Sequence, residues 1–152
     1  MKIAHSIKLS VFSKEDEDSE LVLRSLIKLL PFDIEKNKIP VSKTTATGFS
    51  EKKIQIFEIT IQKDSLIREF IDFLKRGIGH EQNNTIRIQA ESRLDENLDF
   101  FIRLDKEEWA ENEKMALTDS GKCFHIRISI AAFPKKRESA LGIINYIFES
   151  GI

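Results

Sequence analysis

Thiol chemistry is almost missing from this chain: Cys123 is the one cysteine among 152 residues, so no intramolecular disulfide forms and a thiol-rich zinc site is excluded. That fits a reducing compartment. No apolar run approaches the roughly 18 residues that suggest a membrane-spanning helix, and Met1-Lys2-Ile3-Ala4-His5 passes straight into an alternating strand pattern. The expectation is a soluble cytoplasmic protein without a membrane partner, in which the sequon Asn83-Asn84-Thr85 is a coincidence. An excess of one charge is lacking too. The 24 Lys+Arg are balanced by 25 Asp+Glu, a formal charge of -1, so any polyanion has to be met by a local basic patch. Walker loop, nucleotide-binding glycine fingerprint, nucleophile elbow and metalloprotease helix are all absent. The chain is predicted not to be an enzyme and to need no cofactor.

Its length suits one ordinary core and is short for two. From Ile3 to Val11 the odd positions are Ile3, His5, Ile7, Leu9 and Val11, against Ala4, Ser6, Lys8 and Ser10 on the even ones, a half-buried strand with one wet face. Glu15-Asp16-Glu17-Asp18 precedes a helix over 21–30 that Pro31 stops, and these carboxylates suit the helix dipole. A weak strand is predicted over Ile34 to Ile39, and the small-residue stretch Thr44 to Gly48 reads as an exposed turn or loop. Ile54 to Ile61 is apolar on both parities, which calls for a bulge or for cover on both faces. Asp64 or Ser65 can cap a helix that buries Leu66, Ile67, Phe70, Ile71 and Leu74, with Gly77 as its left-handed stop. Residues 80 to 92 read as helix or strand, with helix preferred. Phe100, Ile102 and Leu104 alternate in a further strand, Lys106 to Glu113 suggests a helical turn, and the stretch from Lys122 to Phe133 is a strand with Phe124, Ile126, Ile128 and Ile130 on one face. A last helix buries Leu141, Ile144, Ile147 and Phe148, with Gly142 expected to allow close approach to the sheet. Long one-sided strands predict an α+β fold in which helices pack on one face of an antiparallel sheet.

Two groups of residues stand out. Arg103, His125 and Arg127, with Lys8 and Ser129, occupy the solvent parity of three strands, and Phe101 adds a ring. Cations for phosphates beside an aromatic surface for a base are what a platform for single-stranded or loop RNA needs. The plain alternative is a solvated face whose cations pair with Asp99, Asp105 and Glu58, or a subunit contact through Phe101. The second group is Lys135, Lys136 and Arg137, three cations where the last helix begins. Because the helix N-terminus already carries partial positive charge, first-turn cations are unfavourable by about 0.3 to 1 kcal/mol each. Together with free amides they would form a phosphate site; the alternative is a solvated basic turn. His5, on the apolar parity, reads as a buried histidine bonded to a carbonyl. A metal site from His5, His125 and Cys123 would need ligands from opposite faces, so no metal is expected. Asp95, Asp99 and Asp105 read as turn carboxylates rather than a cation site, and Trp109 as cover for a core edge.

Arg93-Leu94-Asp95, Phe101-Ile102-Arg103-Leu104-Asp105-Lys106, Ile126-Arg127-Ile128 and Phe133-Pro134-Lys135-Lys136-Arg137-Glu138, in this order, resemble an archaeal RNA-binding domain family whose members are described as predicted exosome subunits. The resemblance covers nearly the whole chain, and its most specific parts are the Arg-Leu-Asp-Lys run at 103–106 and the Pro-Lys-Lys-Arg run at 134–137. It implies a single domain over 1–152 with a fold similar to that of the ribosomal protein that binds 5S rRNA, and helix over 80–92. It also implies RNA as partner, with Phe101, Arg103, Lys106, His125, Arg127, Lys135, Lys136 and Arg137 as candidate contacts. The function so implied is a non-catalytic RNA-binding module of an RNA-processing or ribosome-related assembly. The alternative is a protein-interaction or homodimerising subunit.

Overall fold

A computed structural model describes residues 2–149. Five strands form one sheet in the order β2-β3-β1-β5-β4, with every neighbouring pair antiparallel. They are β1 (Ala4–Ser13), β2 (Ser42–Thr47), β3 (Lys53–Ile61), β4 (Asp99–Asp105) and β5 (Cys123–Ile130). The helices are α1 (Ser19–Lys28), α2 (Asp64–Ile88), α3 (Ala90–Arg93), α4 (Lys106–Asn112) and α5 (Arg137–Ile147).

Alternation dictates the layering, because period-two apolar residues all point to one side of a strand. Ile7, Leu9 and Val11 from β1, Phe57, Ile59 and Ile61 from β3, Phe100, Ile102 and Leu104 from β4, and Phe124, Ile126 and Ile128 from β5 are all buried. Covering them are Val22 and Leu26 of α1, Leu66, Ile67, Phe70, Ile71 and Leu74 of α2, and Ala140, Ile144 and Ile147 of α5. Phe148 seals this layer against Phe100, their ring centroids 5.8 Å apart. The architecture is α+β with its helices against one face of the antiparallel sheet, which leaves the opposite face for the polar parity.

Several sequence expectations change. A bulge between Ala4 and Ser6 in the β1–β5 ladder reverses parity at the start of β1, so Ala4 is buried and His5 is exposed. The buried histidine is therefore corrected to a surface one. Residues 34 to 39 form turns, not a strand: the Asp33 carboxylate accepts from the Glu35 and Lys36 amides, and Lys38 adopts φ 53°. Thr44 to Thr47, expected as a loop, lies in the edge strand β2. Ile54 and Ile56 of β3 are half-buried on the face opposite Phe57, without a register shift. Gly77 is not the stop of α2. The break is Gly79, at φ 80° and ψ 172°, and the helix resumes as far as Ile88; residues 80–88 are thus helical. Lys63, rather than Asp64 or Ser65, is the N-cap of α2. Strand β5 ends at Ile130, short of Phe133, and a Cβ on Gly142 would meet nothing within 4 Å, so that glycine does not approach the sheet.

Candidate nucleic-acid interface

The open face of the sheet is organised in cross-strand rows. Phe101 of β4 faces Arg127 of β5, which faces Lys8 of β1, which faces Thr60 of β3. In the next row Arg103 faces His125, which faces Ser10, which faces Glu58. The polar parity predicted from sequence thus converges: Lys8, Phe101, Arg103, His125, Arg127 and Ser129 share one surface. Phe12 joins them, with its ring 5.8 Å from that of His125 at 40°. A hollow of about 440 Å3 lies over this surface, lined among others by Phe12, Phe101, His125, Arg127, Lys8 and Ile56.

Part of the face is neutralised internally. Lys8 Nζ pairs with Glu58 at 2.8 Å, and the Ser129 hydroxyl donates to Asp99 at 2.7 Å. Asp105 instead caps α4 by accepting from the Glu108 amide at 2.9 Å. Asp95 organises its own turn through the amides of Asn97 and Asp99. These carboxylates leave Arg103 and Arg127 without an ion pair among the described residues, and the Arg127 Nε is buried with no hydrogen-bond partner. Burial, and then the nearby charge of Arg103, pull the His125 imidazole below its ordinary pKa, so at neutral pH the ring is uncharged and presents a flat, mostly apolar surface. Burial raises the Cys123 thiol beside it, whose Sγ lies 3.6 Å from His125 Nε2, which favours the protonated thiol near neutral pH.

Three expected contacts sit elsewhere. Lys106, the first residue of α4, reaches Phe12 O at 2.7 Å and Glu17 Oε2 at 2.8 Å with a side chain only 13% exposed. It ties the acidic loop before α1 to the sheet and is no outward phosphate contact. Arg137 donates from both terminal nitrogens to carbonyls, Leu94 O at 3.1 Å and Glu91 O, which staples the start of α5 to α3. Lys135 and Lys136 are exposed, but they follow the Ser129 end of β5 and line neither this hollow nor the next one. Trp109 is buried and donates to Ser25 O at 2.9 Å, as a core-edge residue should.

Sequence reasoning did not place Arg93 beside this face. Its Nε donates to Gln89 Oε1 at 3.0 Å and a terminal nitrogen to Phe101 O at 3.3 Å, so the guanidinium lies fixed along the edge of β4. With Arg103, Ser92, Thr118 and Asp119 it lines a second cleft of about 420 Å3, and Phe101 borders both hollows. The signal was present in Arg93-Leu94-Asp95; what was missing was the adjacency of α3 and β4.

The chain is similar to known proteins over most of its length. The chain is 28% identical over 138 residues to the RNA-binding protein PAB1135 of Pyrococcus abyssi, covering 91% of this chain and 89% of that one. Among solved structures, protein AF2318 from Archaeglobus fulgidus superposes with a TM-score of 0.84 at 26% identity, over 96% of this chain and 99% of the other. The DUF54 protein Mth689 from Methanothermobacter thermautotrophicus shares the fold, with a TM-score of 0.77 at 24% identity over 97% and 99% of the two chains. A family model described as RNA binding matches residues 6–130, from the start of β1 to the end of β5, and the chain is therefore a member of that RNA-binding family.

Proposed function

We propose that the protein is a non-catalytic RNA-binding module that lays single-stranded or loop RNA across the open face of its sheet. Phe101 and Phe12, with neutral His125, supply ring surfaces for bases, while Arg103 and Arg127 supply the charge for phosphates. The observation that carries this reading is the row in which exposed Phe101 stands beside an arginine with no carboxylate partner. Stacking on an aromatic side chain contributes about 1 to 3 kcal/mol per base, and an unpaired strand exposes bases in a way a duplex does not. Because the net charge is -1, attraction is local, and a small number of phosphate contacts follows. Within this reading the module acts in an archaeal RNA-processing assembly, exosome-linked or ribosome-related, and Lys135 and Lys136 add long-range attraction from the end of the sheet.

A second reading, docking to a protein or to a second copy of the chain, is favoured by one observation. Phe133 is 95% exposed and, with Ala132, Ile143 and Tyr146, lines a shallow hollow of about 790 Å3 beside α5, away from the open face. Filter binding separates the two. Single-stranded RNA should bind with a salt slope that falls by about 0.7 for each phosphate contact removed, as in Arg103→Gln and Arg127→Gln. Binding of no RNA class, or curves identical to wild type for both variants, would favour docking.

A further inference from the structure

The cleft between α3 and β4 differs from the open face in one respect: its carboxylate Asp119 is not tied to a cation in an ion pair among the described residues, whereas Glu58 on the open face is held by Lys8. Arg93 and Arg103 line it together with the Asp119 carboxylate, the Ser92 and Thr118 side chains and the wall of Phe101. Arg93 is held in place by Gln89 and the Phe101 carbonyl. Arg103 has no ion-pair partner, and Asp119 forms neither a hydrogen bond through its side chain nor an ion pair within 4 Å among the described residues, although its charge is near enough to act on Arg93. A phosphate suits this arrangement poorly, because it presents acceptors only and the carboxylate repels it. The edge of a nucleobase presents donors and acceptors side by side. Guanine sets two donors, N1–H and the N2 amino group, next to the O6 acceptor, with N7 beyond it; a carboxylate accepts from both donors, and arginine is the usual donor to O6 and N7. Adenine and cytosine lack that pair of adjacent donors, and uracil has only one.

Resting on the RNA reading above, we propose that this cleft selects a guanine in the strand, at the nucleotide next to the one lying over Phe101, with Asp119 accepting from N1–H and N2 and Arg103, whose five N–H donors can serve a base edge as well as a phosphate, donating to O6 or N7. Phe101 borders both hollows, so it divides the unspecific platform from the selective subsite, and Arg93 forms the fixed wall against which the base is placed.

The test uses uridine-tract oligonucleotides of one length carrying a single central G, inosine, A or C, titrated against the full chain and its Asp119→Ala variant, with guanosine 5′-monophosphate as a separate ligand. The exposed side chain makes no hydrogen bond, so the variant should melt at the wild-type temperature. The G oligonucleotide should bind about ten-fold more tightly than the A and C ones, in the range of a good bidentate base contact, with inosine between them. D119A should lose this preference while binding the plain uridine tract as well as wild type or better, because a repelling charge has gone. Equal affinity for all four sequences, or a G preference that survives in D119A, overturns the selective subsite while leaving the platform standing. Free guanosine monophosphate binding as tightly as the G oligonucleotide overturns its assignment to RNA. No binding of any oligonucleotide removes the platform itself, and the subsite with it.

Discussion

Phe101 on β4 stands directly opposite Arg127 on β5, and Arg127 opposite Lys8 on β1. This row places a ring, an arginine without an ion pair among the described residues and a lysine held by Glu58 side by side on the open face of the sheet. Ordinary strand alternation produces it, since the same period that sends Phe100 and Ile128 into the core sends Phe101 and Arg127 outward.

If RNA lies over His125, its binding should depend on pH. Burial and Arg103 hold its folded-state pKa below the ordinary 6.5. The native state therefore binds this proton less readily than the unfolded chain does, and stability is full above about pH 6.5 and falls as the pH drops below it. A phosphate held by the neighbouring Arg103 and Arg127 would favour the protonated ring, so RNA should raise the His125 pKa and affinity should increase as pH falls from 7 towards 5.5. Histidine NMR titration with and without RNA checks both signs; a pKa unchanged by RNA would place His125 away from phosphate.

The Lys106–Glu17 tie should matter for folding and not for RNA. Lys106→Met removes the side-chain donor to the Phe12 carbonyl and the cation beside Glu17, whose carboxylate keeps only the Lys14 amide, at a cost of about 1 to 3 kcal/mol in a urea melt. Burial raises the Glu17 pKa, but the hydrogen bonds from Lys106 and the Lys14 amide and the charges of both lysines outweigh it, and the net position is below the ordinary 4.5. The pair's contribution is accordingly present above about pH 4.5 and lost on further acidification. Wild type and K106M should converge in stability at low pH, with unchanged RNA affinity near neutrality.

Two glycines of similar helical setting should respond oppositely to alanine. A Cβ on Gly77 would stand 2.2 Å from Met115 Sδ, an overpacking expected to cost about 1 to 3 kcal/mol unless Met115 moves aside. Gly142, inside α5, has open space around it, and alanine there should add up to about 1 kcal/mol by helix propensity. Thermal melts of the two variants should move in opposite directions.

How much of this was legible before the structure depended on whether the cause was local. Alternation in Phe100–Leu104 and Phe124–Ile130 is local, and the core face, the open face and the shared position of Arg103, His125 and Arg127 followed from it. His5 misled because a one-residue bulge at the Ala4 end of β1 reverses parity without a glycine or proline to announce it. β2 was invisible because Ser42–Thr47 is exposed along its whole length, so no apolar period marks it. That Lys106 and Arg137 are engaged within the fold was hidden for a different reason. Their partners, Phe12 and Glu17 for one and Glu91 and Leu94 for the other, lie 43 or more positions away, and only tertiary packing reveals that these cations are occupied. Arg93 was overlooked for the converse reason, since its cleft exists only where α3 meets β4.

The basic turn gives a stability test of its own. Lys136 is the N-cap of α5 with no side-chain cap bond, and replacing Lys135 and Lys136 by Glu puts anions where the helix dipole favours them. The double variant should be equal to wild type or more stable by about 0.5 kcal/mol. Its RNA affinity should fall by less than that of Arg127→Gln, because these lysines lie outside both hollows. A larger loss would shift the interface to the start of α5.

The most direct measurement is NMR mapping of a short single-stranded RNA on the isotope-labelled protein, read at side chains rather than backbone amides so that the two faces of the sheet are distinguished. Intermolecular contacts to the Phe12 and Phe101 rings, with shifts at the Arg127 Nε–H and the His125 ring, are the expected result. Contacts confined to Phe133 and Tyr146, or to the helical layer, with Phe101 and Arg127 unmoved, would contradict the open sheet face as the RNA platform.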